Sequence, residues 1–179
     1  MHEVGPSVGA ILQRQARNAV FIALACILIY IWMRFDFRSG VAATVATFHD
    51  VLVVLGLLYL LNREISLLVI SALLTLAGYS LTDTVVVFDR IRENLKQFRR
   101  RSDFGATINN SINEVLSRTI ITTITTQAVV VILLFFGGEV IFDFALTLFL
   151  GFLVGTYSSW FVASPIVVEW EERRPSRFK

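Results

Sequence analysis

One aspartate of this chain lies within a long apolar stretch. Residues 67–88 form a largely apolar run of 22 residues whose only charged side chain is Asp83. That length is enough to cross a bilayer, which needs about 20 apolar residues. A carboxylate there costs about 2.5–3.5 kcal/mol on insertion scales, so it usually faces a bundle interior or a water path and marks an ion or proton route. The alternative is that Asp83 only holds helices together through a neighbouring arginine or hydroxyl group.

A guanidinium at similar depth could pair with this carboxylate. Asp83 lies five residues from the charged end of its predicted span, or about 7.5 Å along a helix axis. Arg118 stands at the start of the next span, on the same side. We expect the two side chains to pair in at least one state. Pairing favours the ionised carboxylate and dry surroundings favour the protonated one, so Asp83 could take up and release a proton as helices shift. Arg118 could instead be an interfacial anchor.

Hydroxyl groups are concentrated around these two residues. A stripe of threonines follows Arg118 at helical spacing, and further hydroxyls flank Asp83. Threonine hydroxyls can bond back to their own helix, so a stripe alone is weak evidence. Beside an acid and a guanidinium, however, it is typical of the wall of a hydrated path. We predict that this wall is formed by Thr82, Thr84, Thr122, Thr125 and Thr126.

A second polar pair, His49 and Asp50, lies near the middle of another apolar stretch. Asp50 needs a polar partner at that depth, and an unperturbed histidine titrates near neutrality. The pair is therefore a secondary candidate for the proton pathway. The alternative, which the residues favour, is interhelical hydrogen bonding that fixes the packing. Neither a nucleophile–base pair nor a metal-ligand cluster is evident, so the sequence predicts no enzyme activity, no cofactor and no metal site.

The composition indicates that membrane-spanning helices carry these residues. The chain is 55% hydrophobic and 17% charged, with a mean hydropathy of +0.70, which exceeds what a soluble domain needs. We predict an all-α, polytopic transmembrane bundle. Its five spans are expected at 16–35, 39–61, 66–88, 119–136 and 140–168, after an extracytoplasmic segment at 1–15 and before a cytoplasmic tail at 169–179.

The connection at 89–118 is long and polar. It contains the basic run Arg99–Arg101, and apolar residues recur every three or four positions from Phe104 to Leu116. This pattern predicts a cytoplasmic basic loop with an amphipathic helix on the membrane surface. The basic run could bind anionic lipid heads or a cytoplasmic partner. The alternative, which the residues favour, is a solvated positive-inside loop.

The distribution of positive charge predicts the orientation. One set of connections and the C-terminal tail carry 13 of the 16 lysines and arginines. By the positive-inside rule, the C-terminus is cytoplasmic and the N-terminus is outside. An outside N-terminus without a cleavable signal predicts that an earlier span and an external segment precede this stretch.

The stretch GYSLTDTVVVFDRIREN at 78–94 resembles the SecD/SecF family of protein-export membrane proteins, within the resistance–nodulation–division superfamily. The similarity extends to FHDVLVVLG at 48–56, LSRTIITTITT at 116–126 and FALTLFLGFLVGTYSSWFVASP at 144–165. It implies that the five spans are the second to sixth of a SecF-type subunit, which forms half of a pseudo-symmetric twelve-helix bundle. It leaves open whether the chain comes from a separate SecF or from a fused SecDF.

The resemblance also implies a function and partners. Members of the family work with SecD and use the proton-motive force to promote translocation of preproteins through SecYEG in the bacterial inner membrane. The implied partners are therefore SecD, SecYEG, YajC, the exported preprotein and membrane lipids, and no nucleic acid is expected. The family's intramembrane proton-pathway residues fall on Asp83 and Arg118. The chain departs from the family at Thr82, where asparagine is common, so hydrogen bonding there is expected to differ.

Two other functions fit the same residues. A proton-coupled exporter of lipids or small molecules, from the same superfamily, would require a roomy apolar pocket. A non-transporting scaffold would use Asp83 and Arg118 only to pin helices together.

Overall fold

The computed structural model describes residues 6–97 and 104–173. This part of the chain contains helices and no strand, and five of its helical segments are long and apolar enough to cross a membrane. The all-α polytopic class predicted from the sequence is confirmed. The elements are α1 (Pro6–Arg34), α2 (Phe37–Leu60), α3 (Leu67–Gln97), α4 (Phe104–Phe136), α5 (Gly138–Ser158), a π-helical turn (Ser159–Ala163) and α6 (Ser164–Arg173).

Some predicted features lie outside the described residues. They are the beginning of the N-terminal segment at 1–5, the basic run Arg99–Arg101 and the end of the tail at 174–179. The helix α1 begins at Pro6, inside the extracytoplasmic segment that the sequence predicts at 1–15. Proline suits the first helical position, where its missing N–H has no intrahelical partner to lose.

The helices α3 and α4 extend well beyond the predicted spans. The sequence pattern predicts a separate amphipathic helix within 89–118, but α3 continues to Gln97 and residues 104–118 are the first half of α4. No glycine or proline interrupts 106–136, so the backbone has no local reason to break there. The apolar stripe of the segment packs against the extension of α3, where Ile108 and Ile91 share a buried cluster.

The helices α2, α3 and α5 form the centre of the bundle, and α5 approaches α3 most closely. A Cβ atom built on Gly151 would lie 2.8 Å from the Leu76 side chain, and one built on Gly155 would lie 3.1 Å from Ser80 Cβ. Small residues four positions apart allow such a backbone approach between membrane helices. This contact brings the polar residues of α3 and α5 together.

The π-helical turn Ser159–Ala163 lies just before Pro165. In a regular α-helix, a proline removes one backbone hydrogen bond and its ring meets the carbonyl four residues earlier. A wider turn ahead of the proline changes the hydrogen-bonding register locally. Ser158 and Ser159, at the start of this turn, are both fully buried.

Ion pairs join the helices at both ends of the bundle. Arg34 pairs with Asp89 at 2.6 Å, which joins α1 to α3, and Arg63 pairs with Asp143 at 3.5 Å near the opposite end. Two more pairs lie at the first end and join α2 to α6 and α3 to α4, namely Arg38–Glu171 and Arg90–Glu114. Arg34, Arg38 and Arg90 therefore lie at the same end of the bundle.

Candidate functional site

The Asp83 side chain points into the bundle, where α3, α4 and α5 meet. It is only 7% exposed. The Thr156 hydroxyl on α5 donates a hydrogen bond to Asp83 Oδ2 at 3.3 Å. The same hydroxyl lies 2.9 Å from the Thr123 hydroxyl on α4. A carboxylate and two hydroxyl groups thus form a short chain that joins three helices.

Arg118 does not form the predicted ion pair with Asp83 in this state. Among the described residues, no nitrogen of Arg118 lies within 4.0 Å of a carboxylate oxygen, and the residue is exposed. Pairing in another state stays a prediction.

Of the five threonines predicted to line the path, only Thr84 is buried inside the described part of the bundle. Thr84 is fully buried, and its hydroxyl lies 3.0 Å from that of Ser159. The other four predicted threonines donate hydrogen bonds to carbonyls of their own helices, and three of them are exposed while one is half-buried: Thr82, Thr122, Thr125 and Thr126. Self-satisfied hydroxyls of this kind are the alternative that the stripe leaves open.

Asp50 is the centre of a second hydrogen-bonded group. Its side chain is fully buried. The Ser80 hydroxyl donates to Asp50 Oδ2 at 2.5 Å, and the Ser158 hydroxyl donates to the same oxygen at 2.7 Å. The other oxygen, Oδ1, lies 3.1 Å from Nδ1 of the half-buried His49. The carboxylate therefore joins α2 to α3 and α5.

The two groups are adjacent in the bundle. Ser80 and Asp83 lie three residues apart on α3, which is about 4.5 Å along the helix axis. Ser158 and Thr156 lie two residues apart on α5. Each carboxylate can bind one proton, and each hydroxyl can donate one hydrogen bond and accept others. The site can therefore hold protons and rearrange hydrogen bonds between helices.

Sequence reasoning missed Thr156 and Ser158. Both lie in a helix whose glycine spacing points to close packing rather than to chemistry. The sequence feature that could have identified them is the cluster of hydroxyl residues within one turn of an otherwise apolar span. Polar side chains in such helices commonly form hydrogen bonds to neighbouring helices. Thr123 belongs to the threonine stripe, but sequence alone does not distinguish it from its exposed neighbours.

Comparison with known proteins places these residues in a family. The family described as "Protein export membrane protein SecD/SecF, C-terminal" matches residues 1–173. A protein translocase subunit SecF from Thermodesulfovibrio yellowstonii is 61% identical over 167 residues, which cover 93% of this chain and 56% of the relative. A protein translocase subunit SecDF from Thermus thermophilus is 48% identical over 174 residues, which cover 97% of this chain and 24% of the relative.

Solved structures agree with the sequence matches. A crystal structure of SecDF, a translocon-associated membrane protein from Thermus thermophilus, superposes with a TM-score of 0.89 at 49% identity, covering 95% of this chain and 24% of that one. A SecDF structure in a super-membrane-facing form gives a TM-score of 0.85 at 47% identity, covering 96% and 23%. The chain thus spans about half the length of the first SecF relative, 56%, and about a quarter of SecDF.

The family match covers almost all of the chain, and the structure contains five helical segments that can span a membrane. Both observations identify a multi-pass membrane protein. The chain belongs to the SecD/SecF family of protein-export membrane proteins and corresponds to its C-terminal helical region.

Proposed function

We propose that this chain is the membrane-embedded motor part of a protein-export subunit. With a SecD partner, it uses the proton-motive force to promote translocation of preproteins through SecYEG. The relatives named as SecF and SecDF translocase subunits support the export assignment. The fused SecDF relatives support a SecD-type second half. SecYEG, YajC and the preprotein are proposed from the resemblance alone.

The observation that carries the proposal is the inward-facing carboxylate of Asp83. When ionised, it accepts a hydrogen bond from the Thr156 hydroxyl, and Thr156 can in turn accept one from Thr123. When Oδ2 is protonated, it can donate to Thr156, whose own proton then turns toward Thr123. Proton binding at this oxygen can therefore reverse a hydrogen-bonded chain that joins three helices, and this provides a way to favour one arrangement of the helices over another.

The proton-motive force can supply the energy for such a change. One elementary charge crossing 100 mV of membrane potential releases about 2.3 kcal/mol. That energy can change the equilibrium constant between two states by up to about fiftyfold, provided that the proton binds the two states with different affinity. Asp83 meets this condition if its access to hydroxyl groups and to Arg118 differs between the states.

Arg118 is the proposed second member of the pathway. Its guanidinium does not contact the Asp83 carboxylate in this arrangement of the helices. A movement of α4 relative to α3 that brings the two groups together would make the ion pair. Making the pair favours the release of the proton, because a nearby positive charge stabilises the carboxylate.

We also propose a bacterial inner-membrane location with a cytoplasmic C-terminus. The support is the uneven distribution of basic residues, 13 of 16 on one side, under the positive-inside rule. Further support is that Arg34 of α1 and Arg38 of α2 lie at one end of the bundle, where they pair with Asp89 of α3 and Glu171 of α6.

The proposal is tested with two separate variants, Asp83→Asn and Arg118→Met, in vesicles that contain the complete export assembly. Proton conductance and proton-dependent export are measured at equal amounts of assembled complex, and both should fall to the level seen without a proton gradient. Asp89→Asn is the matched control on α3, because Asp89 is an ion-paired carboxylate near the charged end of that helix. We expect the control to retain both activities.

The same variants separate the motor from a scaffold. Asparagine can still accept the Thr156 hydroxyl through its amide oxygen, so helix packing should persist while proton binding is lost. A scaffold role predicts that proton flux is unchanged in this variant. If Asp83→Asn exports at the wild-type, proton-dependent rate, the proposed carrier role is wrong.

A further inference from the structure

We infer that Asp50 is a positioning residue for Asp83, which it serves by accepting hydrogen bonds rather than by exchanging a proton. This inference rests on the proposed function of Asp83. The carboxylate of Asp50 bonds to Ser80 on α3 and to Ser158 on α5. It thereby sets the register and separation of the two helices that carry Asp83 and its hydrogen-bond donor Thr156.

The first support is the shape of the Asp50 site. A fully buried carboxylate receives two hydroxyl hydrogen bonds on the same oxygen, at 2.5 Å and 2.7 Å. The donors come from different helices, 30 and 108 residues away in the chain. A single oxygen thus fixes the distance between Ser80 and Ser158, and this distance is a direct measure of how α3 sits on α5.

The second support is how little space separates the two helices at this level. A Cβ atom on Gly155 would lie 3.1 Å from Ser80 Cβ, so the backbone of α5 lies directly against the residue that donates to Asp50. Ser80 lies three residues before Asp83, and Gly155 immediately precedes Thr156. Helices are stiff over such short distances, so a displacement at Ser80 is transmitted to Asp83.

The third support is the length of the Asp83 contact. The Thr156 hydroxyl is 3.3 Å from Asp83 Oδ2, which is beyond the usual range of about 2.5–3.0 Å for O–H···O bonds. A further separation of a few tenths of an ångström would break it. The short bonds at Asp50 therefore control whether the long bond at Asp83 forms at all.

The chemistry of the site allows charge and geometry to be separated. In Asp50→Asn, the amide oxygen can accept both serine hydroxyls, and the amide N–H can donate to Nδ1 of a neutral His49. This substitution keeps every contact and removes the exchangeable proton. Asp50→Leu keeps the branched skeleton of four side-chain atoms and removes every hydrogen bond of the carboxylate.

The experiment uses the complete assembly in vesicles and two measurements. One is proton-dependent export per assembled complex. The other is the infrared band of the protonated Asp83 carboxyl group, which is identified by its loss in Asp83→Asn and whose position reports the hydrogen bonding of that group. The variants are Asp50→Asn, Asp50→Leu and the double change Ser80→Ala with Ser158→Ala. Ser71→Ala is the control, because this exposed serine of α3 donates only to the carbonyl of Leu67.

We expect Asp50→Asn to keep export within about twofold of wild type and to leave the Asp83 band in place. Asp50→Leu and the double serine variant should shift or broaden that band and lower export at least about tenfold, because small misplacements of a reacting group are costly. The Ser71→Ala control should change neither. If Asp50→Leu does not assemble, the single variants Ser80→Ala and Ser158→Ala replace it. Each deletes one hydroxyl group that donates to Asp50, and each should shift the frequency of the Asp83 band.

Two results would overturn the inference. Loss of export in Asp50→Asn with the Asp83 band unchanged would show that Asp50 itself exchanges a proton. An unmoved band in the variants that lack the serine contacts would show that Asp50 does not position Asp83. A different result overturns the proposed function, namely normal proton-dependent export by Asp83→Asn. Even then, the infrared comparison still decides whether Asp50 controls the surroundings of Asp83.

Discussion

The close approach of α5 to α3 can be tested by adding one methyl group. The change Gly155→Ala places a Cβ atom 3.1 Å from Ser80 Cβ and 3.6 Å from Ser80 Cα. Carbon atoms in favourable contact lie about 3.5–4.0 Å apart, so the helices must separate by about 0.4 Å or more. Overpacking of this kind costs about 1–3 kcal/mol. The Ser80 side chain cannot easily move away, because it is hydrogen bonded to Asp50 at 2.5 Å.

A second glycine provides the reference. Gly56 lies within α2, and a Cβ atom built on it meets nothing within 4 Å in the described part of the chain. In water, alanine gains about 0.8–1.0 kcal/mol over glycine inside a helix. Both variants receive the same intrinsic gain, so their difference isolates the steric term. Gly155→Ala should therefore be less stable than Gly56→Ala by about 1–3 kcal/mol.

The assay is reversible unfolding of the purified protein in mixed micelles with increasing SDS, followed by circular dichroism. A difference between the two variants below about 0.5 kcal/mol, which is the scatter between independent sites, would refute the described approach of α5 to α3. Gly151→Ala gives a further check. Its Cβ would be even closer to a neighbour, 2.8 Å from Leu76, and that side chain is fully buried. We expect it to cost at least as much as Gly155→Ala, because a closely packed core leaves Leu76 little room to move.

Two further predictions concern hydroxyl and amide groups between helices. Thr156→Val removes the donor to Asp83 and should lower the free energy of unfolding by about 1–3 kcal/mol. Thr122→Val is the control, because this exposed side chain bonds to its own helix, and it should change the free energy of unfolding by no more than about 0.5 kcal/mol. Equal effects of the two variants in SDS unfolding would contradict the described orientation of α4. Asn94 is 3% exposed and donates to two side chains of α4, so Asn94→Leu should cost about 1–3 kcal/mol. Arg34→Gln, which breaks an exposed ion pair, should cost about 0.2–1 kcal/mol, and a larger loss for Arg34 than for Asn94 would reverse the expected order.

The membrane class and the inward orientation of Asp83 follow from the chain itself. Hydropathy is a local property, so a run of apolar residues predicts a span whatever surrounds it. A carboxylate inside such a run is costly in any arrangement that leaves it against lipid. These two facts are enough to predict that Asp83 faces inward, and the structure describes it as 7% exposed.

The length of the helices at the charged end could not be predicted in the same way. Apolar spacing within 104–118 fits a helix on the membrane surface as well as one that packs on a neighbour. The structure shows the second arrangement, because α3 also extends beyond its span and offers Ile91 and Asn94 as partners. An amphipathic pattern predicts that an apolar face is covered but not by what.

The sequence by itself determined that five apolar helices carry two buried acids and many hydroxyl groups. Only the tertiary structure decided which hydroxyl groups meet which acid. Thr156 reaches Asp83 across 73 residues of chain, and Ser158 reaches Asp50 across 108. Such contacts depend on the rotation of each helix about its axis and on its register against its neighbours. Both are set by close packing at residues such as Gly155 and Ser80, and no pattern confined to one helix contains that information.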